Sequence, residues 1–238
     1  KRPMTEQVMR NIHRIPVPLP GNPLKELNSY LIRGDRDLLI DTGFRRPECY
    51  AALQAGLEEL KVDRSRLDIL VTHLHSDHSG LASDFIGEGR HIYISNTDRA
   101  LLEEKRDELL RRQNERILLE GMSPQELDML AVSNPARVLA PPRGVACYRG
   151  LEDGDRLEVG DYWLRAVLVP GHTPGNMVFW MEEQKAMFTG DHVLFDITPN
   201  ITPTMVRSAM NTVGGSVDPA GRPVARRHTA RTGHTSTP

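Results

Sequence analysis

Three imidazoles and one carboxylate fall within six positions at His73, His75, Asp77 and His78. They lie in the stretch Thr72-His73-Leu74-His75-Ser76-Asp77-His78-Ser79-Gly80, directly after the apolar run that ends at Val71. A loop leaving a buried strand can point several such groups into one pocket, with glycine completing the turn. Neutral imidazole and carboxylate suit Zn²⁺, and also Fe or Mn. A lone histidine is better read as an ordinary polar residue, but this spacing is not. Two later stretches repeat the placement. Pro170-Gly171-His172-Thr173-Pro174-Gly175 follows an apolar strand ending at Val169, and Phe188-Thr189-Gly190-Asp191-His192 offers a carboxylate in the same setting. Either alone is only a turn; behind the first motif, His172 and Asp191 become candidate ligands.

The elements needed to position these groups are legible in outline. Residues 28–32 and 37–41 form a strand pair around the turn signal Gly34-Asp35. Pro47 suits the first turn of a helix that places Cys49, Leu53, Leu57 and Leu60 on one face. Residues 67–72 read as a buried strand and 91–95 as another. From Asp98 to about Glu120 the chain is charged and helical, and Ser123-Pro124-Gln125-Glu126 has the form of a capping box opening a second helix to about Ala131. Strands return at 156–159, 162–169, 177–181 and 186–189. This order is that of an α/β sandwich with helices outside the sheets.

His-x-His-x-Asp-His, then Gly-His-Thr-Pro-Gly, then Thr-Gly-Asp resembles the metallo-β-lactamase superfamily, and Leu39-Ile40-Asp41-Thr42-Gly43 matches its early pattern. The resemblance runs from about Ile15 to Pro203. It implies an αββα sandwich with metals at one edge of the two sheets, spanning residues 1–204 with a helical insertion at about 98–131. By that similarity His73, His75 and His172 hold a first metal, Asp77 and His78 a second, and Asp191 bridges them. Asp41 would orient a ligand histidine from behind. His192 is expected to line the pocket or pack beside it, and His13, His91 and His228 carry no motif. The bridging Asp191 resembles the glyoxalase-II, lactonase and related hydrolase branches more than the β-lactamases. Asn176 departs from the Gly-His-Thr-x-Gly-His form of those branches, so neither substrate transfers directly.

The implied activity is metal-assisted hydrolysis of an ester, thioester or lactone. Two cations, expected to be Zn²⁺, lower the pKa of a shared water to about 7. The resulting hydroxide attacks the carbonyl, and Asp77 orients it and handles its proton. The hairpin of helices either covers the pocket and sets substrate size or is a packing insertion. The alternative within the resemblance is a mononuclear iron, persulfide dioxygenase-like oxidoreductase, whose metal needs only two histidines and a carboxylate. A catalytically impaired member is the other alternative.

The C-terminal stretch supplies the reason for that last reading. The family places a further second-metal histidine after Asp191, at the end of an apolar strand. Here the family-like text stops near Pro203, and His234 follows Arg231-Thr232-Gly233, which is no apolar strand. Residues 205–238 contain no Leu, Ile, Phe, Tyr or Trp, too little apolar surface to offset the entropy of ordering. They read as a disordered or poorly packed tail, replacing a native end or completed by a partner chain.

The bulk numbers bound the partners. A net charge of −2 gives no reason to expect nucleic acid or an anionic membrane. The sequence lacks the roughly 20 consecutive apolar residues of a membrane helix and, at its start, the apolar core of a signal peptide; Met4 is a candidate start. Cys49 and Cys147 share no ligand spacing and are expected to sit reduced in a cytoplasmic protein. The expected partner is a small-molecule substrate; oligomeric state is left open.

Overall fold

Two short runs buried on both faces form the middle of the structure, β4 (Asp37–Ile40) and β5 (Leu67–Leu70). They pair in parallel with Ile40 beside Leu70, so both strands end at the same edge. A strand apolar on both sides must be covered on both sides. Leu39 and Ile69 enter one core, and Leu38, Ile40 and Leu70 enter another. The computed structural model describes residues 4–103, 106–133 and 147–194.

Around this pair a seven-stranded sheet is built in sequence order: β1 (Glu6–Met9), β2 (Ile12–Pro18), β3 (Glu26–Ile32), β4, β5, β6 (Ile92–Ser95) and β7 (Tyr148–Leu151). The first four strands are antiparallel and the later pairings parallel. A four-stranded antiparallel sheet contains β8 (Arg156–Val159), β9 (Tyr162–Leu168), β10 (Met177–Met181) and β11 (Ala186–Phe188) in the order β11-β10-β9-β8.

The two sheets meet over Ile12, Ile32, Leu38, Ile40, Leu70, Leu164, Met177 and Phe179. On the other face of the larger sheet, α1 (Pro47–Glu59) buries Cys49, Leu53 and Leu57 at intervals of four, with Phe85 of α3 (Ala82–Phe85) in the same core. Each such Leu or Phe contributes about 1.5–3 kcal/mol on full burial. Mixed α/β layers of this kind are the expected sandwich. Among the described residues no helix covers the outer face of the smaller sheet, where Trp163 and Met187 are exposed.

Most predicted elements recur within one or two residues. The 98–120 helix is instead two helices, α4 (Asn96–Glu103) and α5 (Arg106–Leu119), followed by α6 (Pro124–Ser133). The capping box is made: Ser123 N donates to Glu126 Oε2 at 2.9 Å, and Glu126 N to Ser123 Oγ at 3.3 Å. β1, β2 and β7 were not expected. Pro16 and Pro18 argue against a strand, yet β1 pairs with β2 only as far as Arg14, so both prolines lie beyond its reach. The expected tail, with His228 and His234, lies outside the described residues. No described helix is long and apolar enough to cross a membrane, and Cys49 and Cys147 are both free.

Candidate metal centre

Four strand ends supply the site. β4 runs into Asp41 and Thr42, β5 into Thr72 and His73, β9 into the loop bearing His172, and β11 into a single 3-10 turn, Gly190–His192, bearing Asp191. The antiparallel register sets the ends of β9 and β11 beside the start of β10. There Met177 N donates to Thr72 O at 3.0 Å and fastens the small sheet to the large one. Ligand sites at the carboxyl ends of strands are a general property of layered α/β sheets. The short helix α2 (Ser76–Ser79) then turns Asp77 and His78 back toward His73.

Five of the six expected ligands fall into two overlapping groups. His73, His75 and His172 offer nitrogen atoms all within 4.8 Å of one another, and so do the donor atoms of His73, His78 and Asp191. His75 Nδ1 faces His172 Nε2 at 2.8 Å. Asp191 lies between the groups, its Oδ1 3.2 Å from His78 Nε2 and its Oδ2 3.5 Å from His172 Nε2. Asp77 is more peripheral, with Oδ2 4.0 Å from His78 Nε2. His192 is exposed and outside both groups; His13 and His91 are partly buried elsewhere.

Electrostatics separate the two groups. Burial, then the neighbouring rings of His78, His75 and His172, hold His73 well below the usual imidazole range. Burial, then His172 and His78, push His75 down to about 3. Both rings are therefore neutral at physiological pH, the form that binds a metal. Burial also works against charge on His78, but Asp41, Asp77 and Asp191 outweigh it and hold this imidazole well above its usual value. Asp191 goes down: burial would raise it, but the hydrogen bond and charge of His78 prevail.

A cation fits this arrangement. His73 is completely buried, and its Nε2 has no hydrogen-bond partner among the described residues although a buried ring nitrogen normally finds one. Its Nδ1 is occupied by Thr72 Oγ1 at 3.1 Å, so the orphaned nitrogen is the one turned to the other ligands.

Several residues that hold the ligands were less visible in the sequence. Asp41, suspected of orienting a histidine, accepts from His78 Nδ1, Thr72 N and Thr72 Oγ1, each at 2.8 Å. It does so from a left-handed backbone conformation, φ 58°. Gly190 is required before Asp191: its φ is +48°, and a Cβ there would stand 2.6 Å from Thr72 Oγ1. Asn22, in the β2–β3 loop, donates from Nδ2 to Asp77 Oδ2 at 3.4 Å. Nothing in the sequence around Asp98 marks it as part of the site. Asn176 is fully buried, and neither amide atom has a partner among the described residues.

The metallo-beta-lactamase superfamily model matches residues 25–236, and the chain belongs to that superfamily. It is 32% identical over 202 residues to the lactamase-like protein vrtG of Penicillium aethiopicum, covering 81% of this chain and 48% of that protein. It is 30% identical over 176 residues to an atrochrysone carboxyl ACP thioesterase of Aspergillus fumigatus, covering 74% of this chain and 31% of the relative. The chain spans about half the length, or less, of the relatives it matches. Among solved structures, a metallo-beta-lactamase family protein of Thermus thermophilus superposes with a TM-score of 0.70 at 27% identity, covering 87% of this chain and 69% of that one.

Proposed function

We propose that this chain is a metal-dependent hydrolase of activated carbonyl compounds, thioesters foremost, with esters and lactones in the same chemical reach. The observation that carries the proposal is the convergence of His73, His75, His172, His78 and Asp191 around an unpartnered, buried His73 Nε2. The thioesterase name of two relatives supports the choice of substrate class.

In this reading His73, His75 and His172 hold one cation, and His78 and Asp77 a second, with Asp191 between them. The expected metal is zinc, which takes imidazole and carboxylate readily; iron and manganese suit the same donors. A bound cation supplies Lewis acidity toward a carbonyl oxygen and acidifies water. Asp77 orients the attacking water and takes its proton. In the metal-free chain burial raises its carboxyl above the usual value, against the pull of His78. Asn22 Nδ2 donates to the Oδ2 of that carboxylate.

The test pairs metal analysis of purified protein with a panel of acyl thioesters, esters and lactones. Bound zinc with thioester turnover is expected. Iron, with oxygen uptake on a persulfide, would replace the proposal with an oxidoreductase. Absence of both metal and turnover would leave an inactive family member.

A further inference from the structure

Asp98 occupies the third position of α4 and is completely buried, yet its carboxylate serves no neighbour in its own helix. Its own N–H donates to Ser95 Oγ at 3.1 Å, half of an ordinary helix cap. The side chain instead accepts from two loops far away in sequence. Leu74 N donates to Oδ2 at 2.8 Å, Thr173 Oγ1 to the same oxygen at 2.8 Å, and Gly175 N to Oδ1 at 2.8 Å. Leu74 stands between His73 and His75; Thr173 and Gly175 follow His172. One carboxylate thus joins the two loops that carry the three imidazoles of the first group.

The fit around it is close. A Cβ on Gly175 would stand 2.4 Å from Asp98 Oδ1 and 2.1 Å from Ser95 Oγ, so only glycine lets this backbone N–H reach the carboxylate. The second glycine of the Gly-His-Thr-Pro-Gly stretch is thus required by the close approach of Ser95 and Asp98, since its φ is not in the left-handed region.

We infer that Asp98 is a positioning residue for the metal centre, a clasp that sets the separation of His172 from His73 and His75 without touching a ligand. This rests on the proposed metal site. Without the carboxylate two backbone N–H groups lose their buried acceptor, and the His172 loop is free to draw away from the His73–His75 loop. A centre whose three nitrogens already lie together needs little rearrangement to bind, and its affinity depends on whatever holds them there.

The variants are Asp98→Asn and Thr173→Val. Asparagine keeps the volume but has one acceptor oxygen for donors that use two. Valine removes only the hydroxyl donor and leaves Asp98 its backbone partners. Zn²⁺ affinity is measured against a competing chelator, the visible spectrum is recorded after Co²⁺ substitution, and unfolding is followed in excess chelator. Asp98→Asn should weaken the tighter Zn²⁺ site about 10–100-fold and alter the Co²⁺ bands, with Thr173→Val shifting both in the same direction by less. Metal-free unfolding serves to establish that each variant folds. Wild-type affinity and an unchanged Co²⁺ spectrum in a folded Asp98→Asn would overturn the inference. If Asp98→Asn does not fold, wild-type affinity and spectrum in Thr173→Val would overturn it equally. Failure of the wild-type chain to bind any metal would refute the proposed site instead.

Discussion

Replacing Asp41 by asparagine should weaken the metal site that uses His78 far more than it disturbs the fold. Asparagine tolerates the left-handed backbone at this position and keeps one oxygen for Thr72 N. It puts an NH₂ group where Oδ2 faces His78 Nδ1 at 2.8 Å. His78 must then lose that hydrogen bond or place its proton on Nε2, the atom 3.2 Å from Asp191 that would bind metal. A hydrogen bond to a charged group is worth about 1.5–3 kcal/mol, and each 1.4 kcal/mol is a factor of about ten. The expected loss at this site is therefore roughly 10–100-fold, the usual range for a residue supporting a ligand. The tighter site should change less, because His73 meets Asp41 only through Thr72. Asp41→Ala should do worse in both respects, leaving Thr72 N buried without an acceptor and placing alanine at a left-handed φ. Zinc titration against a graded series of chelators resolves the two sites. Unchanged affinity at the weaker site in Asp41→Asn would refute the assigned role of Asp41.

Asp77→Asn should lower kcat for a thioester by orders of magnitude while KM changes little, because Asp77 acts on the water; a raised KM with unchanged kcat would assign it to substrate binding. In chelator, the unfolding midpoint should fall as pH rises from about 6.5. The raised imidazole of His78 is paired with Asp41, Asp77 and Asp191 while charged, and that stabilisation is lost as pH climbs through its folded value. A flat profile above neutrality would contradict that pairing. The second equivalent of zinc should bind more weakly than the first, since it must displace the proton of His78 and the described residues supply it only Asp77, His78 and Asp191. His234→Ala should not alter that second affinity, and a marked loss there would make His234 a ligand.

The candidate metal-binding residues that the fold brings together were legible because they come as local clusters: a histidine, a carboxylate or both, directly after an apolar strand. What holds them was not, because each support arrives from a distant element. Asp98 lies 75 residues from Thr173, and in sequence it is only an acid in the first turn of a charged helix. Ser95-x-x-Asp98 has the form of a capping box, a local explanation that hides the tertiary one. Asn22 sits in an ordinary turn, and only the folded β2–β3 loop brings it to Asp77. Strand β2 was hidden by its two prolines, whose tolerance depends on where β1 stops. The strands around the site were recoverable because β4 and β5, buried on both faces, are short and apolar but for one aspartate each, Asp37 and Asp68.

The most direct test of the central claim is the metal content of the purified chain and of its His73→Ala and His172→Ala variants, measured by elemental analysis after dialysis against metal-free buffer. The wild-type protein should retain a first-row metal, zinc foremost, and each variant should lose the tightly held ion while remaining folded. Metal content equal to wild type in both variants would contradict the claim.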